Sequence, residues 1–107
     1  MTKSDKKRLD IIHRLPCMAC VQNGSDTGMR VEAHHLVDKG YRKHSGGHQA
    51  TLPLCGWHHR GEPLMGWTVA NMHEFHGPSL FHHGKQFTVR YGNQREMLAN
   101  IDKVING

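Results

Sequence analysis

The sequence predicts a small α+β fold, and three observations carry the prediction. Residues 29–36 alternate Met29, Val31 and Ala33 against Arg30, Glu32 and His34, the period of a half-buried strand. Near the C-terminus Met97, Leu98, Ile101, Val104 and Ile105 recur at helical spacing behind Asn93 and Glu96, the two residues of a capping box. Two close-spaced pairs of donors, Cys17-x-x-Cys20 and Cys55-x-x-His58, complete the set. A chain of 107 residues with 36% hydrophobic residues and 12 glycines buries a modest share of its surface, so a staple is expected within a single domain, 1–107.

The elements follow in order. Ser4 or Asp5 is expected to cap a first helix reaching about Arg14, with Leu9, Ile11 and Ile12 inward and Lys6, Lys7 and Arg8 outward, and Pro16 stops it. Residues 17–28 read as the cysteine pair and a polar turn, and the strand at 29–36 comes next. A basic, Gly-rich loop spans 39–47 before a second short strand at 50–54, which Pro53 marks as an edge. Beyond Cys55 the helical signal is interrupted by Gly61 and Pro63, resumes over 67–76 and ends at Gly77-Pro78. Trp57, Trp67, Phe75, Phe87 and Tyr91 are expected in the core, because the chain has few other large apolar groups.

Composition narrows the function. Fourteen Lys and Arg against nine Asp and Glu give a net charge of +5, and 11 histidines add to it below neutral pH, which suits a polyanionic partner. Three cysteines exclude a closed disulfide framework. The opening Met1-Thr2-Lys3-Ser4-Asp5 has no apolar leader, and no run approaches the roughly 20 apolar residues of a membrane span. A cytoplasmic protein with no membrane partner is therefore expected, where thiols stay reduced and free to bind metal.

Two residues between ligands let a tight turn present both side chains to one tetrahedral ion, the partner pair arriving from a distance. Cys17, Cys20, Cys55 and His58 thus read as a structural zinc site that uses every cysteine in the chain. A redox Cys-x-x-Cys would follow a strand in a βαβ unit, and none is evident here.

Glu32-Ala33-His34-His35 closes the first strand. Successive strand side chains point to opposite faces, so His34 and His35 are suited to different tasks, one holding a metal and the other handling a proton. A second pair, His58-His59, follows Cys55. With His58 turned to the zinc, His59 points elsewhere and can meet His34 over a second ion.

Together these segments resemble the layout of the HNH (ββα-metal) nucleases. More narrowly, Glu32-Ala33-His34-His35-Leu36, Pro53-Leu54-Cys55-x-Trp57-His58-His59-Arg60-Gly61, Gly77-Pro78-Ser79-Leu80 and Arg90-Tyr91-Gly92 are similar to the phage Ref-type recombination-enhancement nucleases. The likeness covers about residues 17–100. It implies a ββα-metal core over 17–61, a helical extension over 66–107, and a metal-dependent endonuclease acting on DNA. His34 and His59 then correspond to ligands of a catalytic divalent cation, Mg²⁺, Mn²⁺ or Zn²⁺, and His35 to the general base. Cys17, Cys20, Cys55 and His58 correspond to the structural zinc ligands, with His58 in place of the more usual fourth cysteine. The resemblance also implies dependence on a RecA-type filament, in the cytoplasm of a bacterial host. One departure stands out. The central Asn of the HNH pattern would fall near Ala50, and only His48, Gln49 or backbone groups are there to orient the base.

The chemistry supports the transfer. A histidine near its ordinary pKa of about 6.5 is a good base at neutral pH. A divalent ion supplies Lewis acidity to the phosphate and the departing 3′ oxygen, and two imidazole ligands favour Mn²⁺, Co²⁺, Ni²⁺ or Zn²⁺ over Mg²⁺. Arg42 and Lys43 in the Gly-rich loop, and Arg60 beside His59, are positioned to hold backbone phosphates. His73, His76, His82 and His83 are open between a further zinc site, phosphate contacts and surface positions. The rival from another class is a non-catalytic, zinc-dependent nucleic-acid-binding module, which would have no need of His34, His35 and His59 together.

Overall fold

The computed structural model describes residues 1–107. Helix α1, Lys3–Arg14, starts one residue earlier than Ser4: Thr2 caps it, and Asp5 returns a bond to the Thr2 backbone in a full capping box. It ends at Leu15, whose extended backbone is what a following proline imposes. Arg8, expected on the solvated face, is turned inward. It lies one helical turn before the buried Ile12 and so shares its face. Its guanidinium donates to the Thr51 hydroxyl (3.0 Å) and carbonyl (2.9 Å) and pairs with Asp102 at 2.7 Å. One side chain thereby ties the first helix, the second strand and the last helix together. Arg8→Ala is expected to lower stability by about 1–3 kcal/mol for each buried acceptor left unpaired, read by urea unfolding.

The segment after Cys17 is a short helix, α2, Met18–Asn23, rather than a turn, closed by Gly24 at φ +68°. Strand β1, Val31–His35, pairs antiparallel with β2, Thr51–Cys55, placing Glu32 opposite Leu54 and His34 opposite Leu52. The sheet has only these two strands, so β2 is an edge as Pro53 suggested, yet all five of its residues are buried. Helices α1, α2 and the last helix cover it. Helix α3, Gly56–Arg60, follows β2 directly and completes the ββα arrangement of the expected α+β fold.

Helix α4, Val69–His76, is capped by Thr68 and ends at Gly77. Helix α5, Gly84–Tyr91, was not expected; it buries Phe87 and Tyr91, one turn apart. Helix α6, Gln94–Asn106, has the predicted Asn93–Glu96 capping box and buries Met97 and Ile101, while Val104 stays exposed. Trp57, Phe87 and Tyr91 join Ile12, Leu36, Leu52, Leu54 and Met72 in the core. Trp67 and Phe75 do not. They meet edge to face at the surface, 5.5 Å between ring centres, because α4 presents only Met72 and His76 to the interior. No helix is long and apolar enough to cross a membrane.

Candidate metal centre and histidine cluster

Cys17 stands at the start of α2 and Cys20 one turn on, so both thiols face the same side. Cys55 ends β2, and His58 lies within the single turn of α3 that follows. All four are buried, and their donor atoms lie within 4.8 Å of one another. The His58 Nδ1 is 3.5, 3.6 and 3.3 Å from the sulfurs of Cys17, Cys20 and Cys55, and Cys20 and Cys55 are 3.9 Å apart. Tetrahedral zinc, with bonds of 2.3 Å to sulfur and just over 2 Å to nitrogen, has edges of about 3.6 Å (S···N) and about 3.8 Å (S···S). The donor set fits that ion.

Electrostatics agree. Hydrogen bonds from Cys17 and Cys20 hold the Cys55 thiol well below its ordinary range, while hydrogen bonding among the thiols pushes Cys17 up. Burial works against a charged His58, but its bonds to Cys20 and Cys55 outweigh burial and raise the ring to about 9, so without a metal Nδ1 keeps a proton that a bound cation would displace. A cluster that stabilises a thiolate inside the core is a donor set for a soft divalent cation.

The orientation of His58 comes from outside the motif. Gly77-Pro78 ends α4 and leaves the carbonyls of His76 and Gly77 without helical partners. His58 Nε2 donates to His76 O at 2.8 Å, and Trp57 Nε1 to Gly77 O at 3.0 Å. Asn23 donates to the same His76 carbonyl and to the Tyr91 hydroxyl, both at 2.8 Å. With Nε2 occupied, His58 turns Nδ1 to the cysteines, the outer support typical of a metal-bound imidazole. Asn23 and Tyr91 carry no sequence signal for this. The helix stop at Gly77-Pro78 does, since it guarantees free carbonyls.

The second group lies at the sheet. His34 and His59 meet edge to face with ring centres 4.9 Å apart. His59 Nδ1 donates to Glu32 at 2.8 Å, and His34 Nε2 to the Gln94 side-chain oxygen at 2.7 Å. Burial, more than any neighbour, lowers the pKa of His34. Glu32 also takes a two-pronged bond from Arg60, which holds its carboxyl below the usual range; Arg60 reaches Glu62 as well. The two-residue strand period that separates His34 from His35 puts Glu32 on the face of His34, so the alternation that flagged the histidines also locates Glu32.

His35 turns the other way. Its Nε2 accepts from Arg42 at 2.7 Å and lies 3.0 Å from His48 Nδ1. Because Arg42 can only donate, this nitrogen carries a lone pair. Burial first, then Arg42 and His48, push the ring down to about 4 rather than leaving it near its ordinary value, so it is neutral at physiological pH. Of the groups considered for the place of the central Asn, His48 is the one against His35; Gln49 points away, to Ser4 and Asp5. Lys43 and Arg42 line an open depression of about 840 Å³ with Tyr41, Gly47 and His48.

The four histidines left open in the sequence, His73, His76, His82 and His83, are engaged with their neighbours. His82 donates to Gly61 O at 2.9 Å, and any Cβ at Gly61, which sits at φ +71°, would run into its ring. His73 stacks on His83, whose Nδ1 accepts from the Ser79 backbone, and His76 reaches Ser25. The four bring no cluster of three metal-ligating groups together.

No solved structure matches the chain. A family model described as recombination enhancement, RecA-dependent nuclease matches residues 1–106, nearly the full length and all of the residues above. The chain belongs to the family of RecA-dependent nucleases of recombination enhancement.

Proposed function

We propose that this protein is an HNH-type, metal-dependent DNA endonuclease with zinc as its structural ion. One observation carries the reading: His34 and His59 meet ring to ring on one face of β1, while His35 offers an unprotonated nitrogen from the other. A divalent cation held by His34 and His59 would supply Lewis-acid stabilisation to the phosphate and the departing oxygen. His59 has its Nδ1 proton fixed on Glu32, which leaves Nε2 as its donor atom. With Arg42 turned from His35 Nε2 to a backbone phosphate, His35 takes a proton from the attacking water as the new O–P bond forms and the bond from phosphorus to the 3′ oxygen breaks. Arg42 and Lys43 hold the backbone from the open depression, joined by Arg60, whose side chain is 54% exposed. The family description supports a RecA-type filament as the partner that presents the DNA.

Plasmid nicking tests this. Wild-type protein is expected to cut in Mn²⁺, faster with a RecA filament, and to stop when chelator is added. His34→Ala and His59→Ala should stay folded and keep zinc, yet lose about a hundredfold or more, the rate equivalent of several kcal/mol of charge stabilisation. A variant cutting at the wild-type rate removes that residue from the cation site. Equal rates with and without the filament remove the RecA dependence.

A further inference from the structure

The first turn of α6 lies some 35 residues beyond the ββα unit, yet two of its side chains reach the histidine cluster and the loop beside it. Gln94, its first helical residue, accepts from His34 Nε2 at 2.7 Å. Arg95 makes a two-pronged bond to Asp38 (2.6 and 2.8 Å) and a third to the Ser45 carbonyl (2.9 Å), holding the loop that carries Arg42 and Lys43. The turn is itself fixed by the Asn93–Glu96 capping box, and the far part of the helix by the Arg8–Asp102 pair. Gln94 is therefore presented from a rigid element and not from a mobile loop.

A neutral imidazole has one donor and one acceptor nitrogen, and a cation takes the acceptor. An amide oxygen on Nε2 places the proton there and leaves the Nδ1 lone pair free. Glu32 does the converse for His59, fixing Nδ1–H and freeing Nε2. The two rings thus carry opposite tautomers, each set by a dedicated acceptor from a different element. His34 is 9% exposed, so little water reaches it to substitute for Gln94.

We propose that Gln94 is the positioning residue of the cation site: it fixes the tautomer and ring orientation of His34 and so makes Nδ1 the metal donor. The inference rests on the reading of His34 and His59 as cation ligands. Outer partners of this kind are typically worth about 10–100-fold in metal affinity.

The test uses the full chain with its structural zinc in place. Mn²⁺ is titrated and the free ion followed by electron paramagnetic resonance; before Mn²⁺ is added, long-range ¹H–¹⁵N spectra report the His34 tautomer. Gln94→Ala is expected to bind Mn²⁺ about 10–100-fold more weakly and to show a mixture of His34 tautomers, with an unchanged melting curve. Gln94→Glu keeps an acceptor at the same place and is expected to retain both the affinity and the Nε2–H tautomer. Wild-type affinity in Gln94→Ala, or a pure Nε2–H tautomer there, overturns the role of Gln94 alone. Failure of Gln94→Glu to restore either property does the same. If wild-type protein has no Mn²⁺ site that His34→Ala removes, this inference and the cation reading fall together.

Discussion

Cys55→Ser is expected to leave the protein without a cooperative unfolding transition and without bound zinc, whereas wild-type protein retains about one zinc per chain through dialysis. Structural zinc contributes about 10–16 kcal/mol of apparent binding energy in small peptides, and that energy is available only to the folded state. Whole domains are stable by about 5–15 kcal/mol, so the ion accounts for most of the margin. Cys55 is fully buried where β2 meets α3, and a hydroxyl there would replace a thiolate with a weaker, unpaired donor. Cys17→Ser should act in the same way. Circular dichroism on heating, beside zinc analysis, checks both variants; a metal-free protein with the wild-type melting curve removes zinc from the account of the fold.

His35→Ala is expected to do the opposite, preserving the fold and abolishing the chemistry. General-base help is typically worth 10²–10⁴-fold, so single-turnover cleavage at saturating Mn²⁺ should fall by about that much. Zinc content, Mn²⁺ affinity and DNA affinity should stay near wild type, because His35 faces Arg42 and His48 and not the cysteines or the His34–His59 pair. His34→Ala, by contrast, should lose the cation. A loss below about tenfold in His35→Ala leaves this residue as part of the strand end and nothing more.

Much of this arrangement was legible because it rests on local periodicity. The cysteine and histidine spacings, the α6 capping box and the alternation in β1 are short-range patterns, and the structure has the buried Cys17, Cys20, Cys55 and His58 together. What escaped detection depends on distant partners. Arg8 looked like its neighbours Lys6 and Lys7, and only the Thr51 carbonyl and Asp102, far along the chain, turn it inward. Size alone puts Trp67 and Phe75 in the core, but the face α4 buries is set by Met72 and His76. Helix α5 was hidden because Gly84, Lys85 and Gln86 give a weak start, and two aromatic residues one turn apart make a short signature. Gln94 is an ordinary polar residue until the tertiary fold sets it beside His34, and His48, one of the groups the sequence offers for orienting His35, is separated from Gln49 only by its place in the fold.

His58 does with one ring what a cysteine could not. A thiolate has a single atom to offer, and binding an ion uses it. Imidazole has two poles: Nδ1 faces the cysteines, and Nε2 grips the end of α4 through the His76 carbonyl. The cysteine–histidine cluster is therefore tied to the helical extension through one of its own members, beside the Trp57–Gly77 bond, and Asn23 and Tyr91 gather on the same carbonyl. An ion held by the cluster would bear on the end of α4 through this same ring. A cysteine at position 58 could still close the tetrahedron, but the end of α4 would then be held from beside the cluster, by Trp57 and Asn23, and no longer by one of its ligands.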